Sequence, residues 1–231
     1  GAATLPVNGT VVNGSVSSTS NTTFATGSFG STVAGTMTIT VASSTAVIDW
    51  GNPNNAATIN PNSTYAGFNI GTGNGGNSSV TFTASANATV LNVDTSGQVS
   101  TLDGDLVGSD VNVFVANANG IVVGSTAVLS APMLGLIGSG VSSSAINSAS
   151  ADQLIALSFA GTSGSVSIAN GAYVNGVSGV SVTSGSNNLA TAIASGNNYP
   201  VLVAGSGVVN VSGTNAGNIS TTLTIDGGVS G

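Results

Sequence analysis

Apolar and polar residues alternate with a period of two through Met37-Thr38-Ile39-Thr40-Val41 and again through Ala46-Val47-Ile48-Asp49-Trp50. Such alternation puts successive side chains on opposite faces of an extended chain and predicts strands with one buried face. Asn52-Pro53-Asn54-Asn55 and Asn60-Pro61-Asn62-Ser63 then interrupt it, since Pro removes a ladder donor and Asn tolerates left-handed turns. Beyond Phe68 the chain repeats one theme: a run of three to six strand-forming residues, a corner of Gly, Asn, Asp or Ser, and another run. The runs include Val80–Thr83, Thr89–Val93, Val111–Val115, Gly120–Val123, Ser165–Ile168, Gly179–Val182, Pro200–Val203, Val208–Val211 and Thr222–Ile225. Short strands spaced by roughly 8 to 12 residues fit a sandwich, a barrel or a parallel solenoid. Corners made of a single Gly or Asn, between strands of small residues, weigh toward the solenoid, with the sandwich as its competitor. Ser150–Leu157 carries a helix-start pattern, yet a strand over Leu154–Phe159 is the preferred reading. Residues 1–35 alternate loosely and read as an N-terminal cap or an arm donated to a neighbour, ahead of a β body over 36–231.

Composition narrows this picture. The chain has 231 residues, 41% of them hydrophobic, with 34 Gly, and its mean hydropathy of +0.43 is too high for a disordered segment. It contains no Lys, Arg, His or Cys, and its seven acidic residues, all Asp, give a formal net charge of −7. A chain without cations lacks the counterion-release mechanism of nucleic-acid binding and has no basic patch for anionic lipid. Apolar runs are short and broken by Gly135, Gly138 and Gly140, so no membrane insertion is expected. The opening Gly1-Ala2-Ala3, without Met or a basic stretch, reads as a mature chain after export.

Residues 65–141 carry more specific motifs. Phe68-Asn69-Ile70-Gly71 is followed by Leu91-Asn92-Val93, by Ser100-Thr101-Leu102-Asp103-Gly104, and by Val111–Ala116 ending at Asn117-Ala118-Asn119-Gly120-Ile121. This order resembles the filamentous-haemagglutinin-type secretion domain at the N-terminus of two-partner-secretion exoproteins and large bacterial adhesins. The resemblance implies a right-handed parallel β-helix with an N-terminal cap, a secreted or cell-surface location, and recognition by an outer-membrane transporter. It singles out the turn Asn117, Asn119 and Gly120, either as a structural corner or as a recognition element. Two departures stand out: Ala118 replaces the family's Pro, and Val93 replaces an Arg. The family domain also precedes a long passenger, whereas this sequence ends at Gly231, so a self-contained subunit is expected.

Chemistry has little to work with. No Ser/His or Cys/His nucleophile can be assembled, so the chain is not expected to be an enzyme. An Asp-based polysaccharide hydrolase using Asp103, Asp105 and Asp110 is the remote alternative, since paired carboxylates suffice for glycoside cleavage. The same residues with Asp94 make calcium conceivable, although their spacing matches neither the EF-hand loop nor a calcium-binding repeat, and no cofactor is expected. Gly71–Gly76 lacks the Lys of a phosphate loop, and the eight Asn-x-Ser/Thr sequons are expected to stay bare in a bacterial exoprotein. Trp50, Tyr65, Phe68 and Phe114 read as core or end-cap aromatics before a sugar-stacking set. The leading expectation is therefore an extracellular structural protein polymerising with itself, by end-to-end stacking or strand donation, into a fibre, biofilm matrix or adhesive layer. Its alternative is the secretion-signal domain of a larger adhesin.

Overall fold

The structure is a computed structural model that describes residues 5–7, 9–18, 28–29, 35–51, 67–73, 76–138, 166–169 and 172–176, with short backbone strands elsewhere between 158 and 230. In chain order the strands are β1 (Gly9–Asn13), β2 (Val16–Ser18), β3 (Ser28–Phe29), β4 (Thr36–Val41) and β5 (Thr45–Trp50), then the paired β6 (Thr72–Gly73) and β7 (Gly76–Asn77). The centre of the molecule is β8 (Ser79–Asp94), β9 (Ser100–Leu102), β10 (Asp105–Asn117), β11 (Ile121–Val123), β12 (Val128–Ala131) and β13 (Leu134–Gly138). Beyond it lie β14 (Ser158–Phe159), β15 (Val166–Ile168), β16 (Tyr173–Gly176), β17 (Val180–Ser184), β18 (Asn187–Asn188), β19 (Val201–Ala204), β20 (Val209–Val211), β21 (Leu223–Asp226) and β22 (Val229–Ser230). Every described element is a strand.

Pairing is predominantly parallel and in register. Thr36, Ser79, Asp105, Val128 and Tyr173 align across β4, β8, β10, β12 and β16. Ala46, Val90, Val113 and Leu134 align across β5, β8, β10 and β13. A separate parallel sheet aligns Ser100, Ile121, Val166, Val209 and Val229. One buried cluster draws on all three rows, with Met37, Ile39, Val80, Phe82, Leu106 and Leu129 from the first, Ala46, Ile48, Val113 and Leu136 from the second, and Ile121, Val123 and Val166 from the third. The alternation of β4 is as its sequence predicts, with Met37, Ile39 and Val41 turned inward.

The N-terminal end differs from the rest. β1 runs antiparallel to β5, and β2 antiparallel to β4. Leu5 and Val7 are fully buried, and the Val7 amide donates to the Gly67 carbonyl at 3.1 Å. Where residues 1–35 are described, they therefore pair within their own chain. The edge of the third row is occupied as well: Ile70 bridges in parallel to Leu102, donating to Thr101 O and accepting from the amides of Asp103 and Gly104.

Two sequence expectations are corrected. Strands of three to six residues are expected throughout, yet β8 spans 16 residues and β10 spans 13. The exposed stretches Ser85-Ala86-Asn87 and Ser109-Asp110 lie inside these strands, and β8–β10 pairing continues on both sides of them. In β10 the exposed stretch takes a register shift between Ser109 and Val111, with Asp110 at φ 57°, a left-handed conformation that Asp tolerates. Second, β5 is buried on both faces, where its alternation predicts one, and the later halves of β8 and β10 are buried on both faces as well. The two Asn-Pro-Asn breaks, most of the Leu154–Phe159 strand and Tyr65 lie outside the described residues.

Candidate functional site

Parity along β8 and β10 decides what gathers at the N-terminal end. Val90 and Val113 face the core, so Asn92 and Asp94 on β8, and Val115 and Asn117 on β10, share that inward direction. Asp94 aligns with Trp50 on one side and Asn117 on the other. A polar patch thus sits inside an apolar stack.

Every member of the patch is hydrogen-bonded. The Asp94 carboxylate, 3% exposed, accepts from the Phe68 amide at 2.9 Å, the Ser96 amide at 2.9 Å and the Ser100 hydroxyl at 2.6 Å. A Cβ at Gly67 would collide with that carboxylate, so the chain needs glycine there to pass. Asn117, fully buried, donates through Nδ2 to Gln98 O at 2.8 Å and Ser100 Oγ at 2.9 Å, while its Oδ1 accepts from the Asn119 amide at 2.8 Å. Gly120, at φ 103°, donates to Asn117 O at 3.0 Å and accepts from the Ser100 amide at 3.1 Å. Asn69 Oδ1 takes the Thr101 amide at 2.9 Å. Next to the patch, Asn92 accepts from Trp50 Nε1 at 2.9 Å and donates to Phe114 O at 3.1 Å, and the Trp50 and Phe68 rings meet at 5.5 Å between centroids, tilted by 60°.

Asn117, Asn119 and Gly120 therefore close one corner together, with Asn117 and Gly120 inside it and the Asn119 side chain in solvent. Sequence reasoning missed Asp94, Ser100 and Asn92 as partners in this corner. The available signal was polar residues at core parity in otherwise apolar strands. Trp50, Phe68 and Phe114 are fully buried and offer no face to a sugar.

Among the described residues, the carboxylates of Asp103, Asp105 and Asp110 have surroundings of their own. Asp105 accepts from Asn77 Nδ2 at 2.7 Å, Asp110 sits on the exposed stretch of β10, and burial raises the Asp103 carboxyl above the ordinary carboxylate range. Among the described residues no three acidic groups assemble as a metal would require. Asp49 is set apart by its surroundings. It is 3% exposed and turned away from Ile48 and Trp50, and its Oδ1 accepts from the Thr95 hydroxyl. Burial pushes its carboxyl up to about 6, with the Thr95 hydrogen bond opposing and the nearby Asp94 charge adding to the rise.

No family model matches the sequence, and no curated protein does. Among solved structures, the crystal structure of the HMW1 secretion domain from Haemophilus influenzae is similar, with a TM-score of 0.51 and 19% sequence identity over 89% of this chain. The chain spans 42% of that protein's length. At this identity the likeness concerns the fold, which is β-rich in both.

Proposed function

We propose that the chain is a right-handed parallel β-helix acting as the secretion-signal domain of a secreted two-partner-type exoprotein, recognised by an outer-membrane transporter. The observation that carries this reading is the closed N-terminal end: β1, β2 and Ile70 occupy the edges of all three parallel rows, and the motif residues Phe68 to Ile70 and Asn117 to Gly120 gather beside them. The structural likeness to a secretion domain supports the same reading. Self-assembly by end-to-end stacking needs two open ends, and strand donation needs an unpaired strand, so the pairing of β1 and β2 weighs against both. We read the chain as a binding module without catalysis or cofactor.

The test is export. A reporter is fused after Gly231, and its release from cells carrying or lacking the candidate transporter is compared. Transporter-dependent release is expected, and equal release in both strains overturns the proposal. Electron microscopy of the purified chain supplies the control, because ordered filaments in dilute buffer would return the fibre reading to first place.

A further inference from the structure

We propose that Asn13 is a self-modification site: in the folded chain its side-chain amide closes onto the Gly14 nitrogen and hydrolyses to isoaspartate or aspartate. The site lies at the join between β1 and β2, the strands that close the N-terminal end. An Asn-Gly pair permits this chemistry, because glycine puts no Cβ in the path of ring closure and restricts the backbone least. The sequence has six such pairs, of which Asn13–Gly14 and Asn119–Gly120 are described with their side chains and surroundings.

The two pairs have opposite surroundings. Gly120 is buried and its nitrogen donates to Asn117 O at 3.0 Å, while the Asn119 nitrogen donates to Asn117 Oδ1 at 2.8 Å. The Asn119 side chain is exposed, but the nitrogen that would attack it is held in the corner. Gly14 is exposed and lies outside the strands, and its nitrogen has no acceptor among the described residues. Asn13 is the last residue of β1, beyond a register shift in the β1–β5 ladder between Val11 and Asn13. Turning the Asn13–Gly14 peptide for attack therefore breaks no hydrogen bond donated by the attacking nitrogen.

In the reaction the Gly14 nitrogen loses its proton and bonds to Asn13 Cγ, the Cγ–Nδ2 bond breaks, and ammonia leaves carrying that proton. Water then opens the cyclic imide at either carbonyl. One opening leaves aspartate at position 13, and the other routes the main chain through the side chain as isoaspartate, which lengthens the backbone by a methylene. Gly14 has no room for that extra length. It stands at φ 85°, where a Cβ would already collide with Thr45 O and Ala46 Cα. Ser15 beyond it is pinned, its amide donating to Ser43 Oγ at 2.9 Å and its carbonyl accepting from the Ala42 amide at 2.8 Å. Isoaspartate at this join therefore loosens β1 from β5, and either product adds a carboxylate to a chain without Lys, Arg or His to pair it.

The test ages the intact chain at neutral pH, folded in buffer and unfolded in urea. Tandem mass spectrometry of chymotryptic peptides follows each Asn, since the chain offers trypsin no site, and labelling by an isoaspartyl methyltransferase measures the isoaspartate. In buffer Asn13 should convert at least about tenfold faster than Asn119, because a tied amide reacts only from opened states, and in urea the two rates should converge. Isoaspartate-containing protein should show a lower urea midpoint than fresh protein. Asn13→Gln, whose longer side chain closes the ring slowly, should keep its midpoint on ageing. Equal rates in the folded chain, or conversion of Asn13 in urea alone, overturns the site. An unchanged midpoint in converted protein overturns the loosening of β1. If Asn13→Gln fails to fold, the rates in the parent chain decide.

Discussion

Asn117 uses both ends of its side-chain amide inside the fold, and Asn119, two residues on, lends the corner only its backbone. The two therefore separate structure from recognition. Replacing Asn117 by Ala strands Gln98 O and the Asn119 amide and should cost about 2–3 kcal/mol in urea unfolding. Asn119→Ala should cost under about 0.5 kcal/mol, because its side chain is exposed. Loss of export in Asn119→Ala at unchanged stability would place direct recognition at this turn. The residues beneath the corner were hard to read for a physical reason. Leu91-Asn92-Val93-Asp94 looks like a strand with Leu and Val inward, but both faces are buried and the inner one holds Asn92 and Asp94. Alternation identifies the core face only where the other face is wet.

Single strands were legible where that condition held. β4 alternates against solvent and its inward set follows directly from its sequence, whereas β8 and β10 each look like two strands with a turn between them. Ser85-Ala86-Asn87 and Ser109-Asp110 have turn chemistry, and only pairing with adjacent rows keeps them within one continuous strand. The corner after β10 offers a test of local design. Gly120 N–H to Asn117 O makes Asn117–Gly120 a β-turn with Ala118 at its second position. Asp110 is the non-glycine residue with positive φ among those described, so Ala118 has the negative φ that Pro requires, and Asn117 ends a strand, the conformation favoured before Pro. Ala118→Pro should stabilise the chain by about 0.5–1 kcal/mol, seen as a higher urea midpoint, chiefly by restricting the unfolded chain.

For the molecule as a whole, the missing cations set behaviour in solution. Seven Asp with no counter-charge repel neighbouring copies at neutral pH, and that repulsion fades toward the isoelectric point of about 4.1. Light scattering should rise between neutral pH and about pH 4 while Trp50 emission stays that of the folded chain, because protonating Asp49 favours folding over the same range. The architecture also bears on how the chain yields to load. β5, β8, β10 and β13 lie side by side, each row held by its neighbours on either hand, and the antiparallel β1 closes the outer edge of β5. Tension applied from the C-terminal side meets the β13–β10 ladder before β10–β8, and the ladder under β1 last. Rupture then proceeds as a series of small steps, one row at a time, and the corner built on Asp94 and Asn117 is among the last to open.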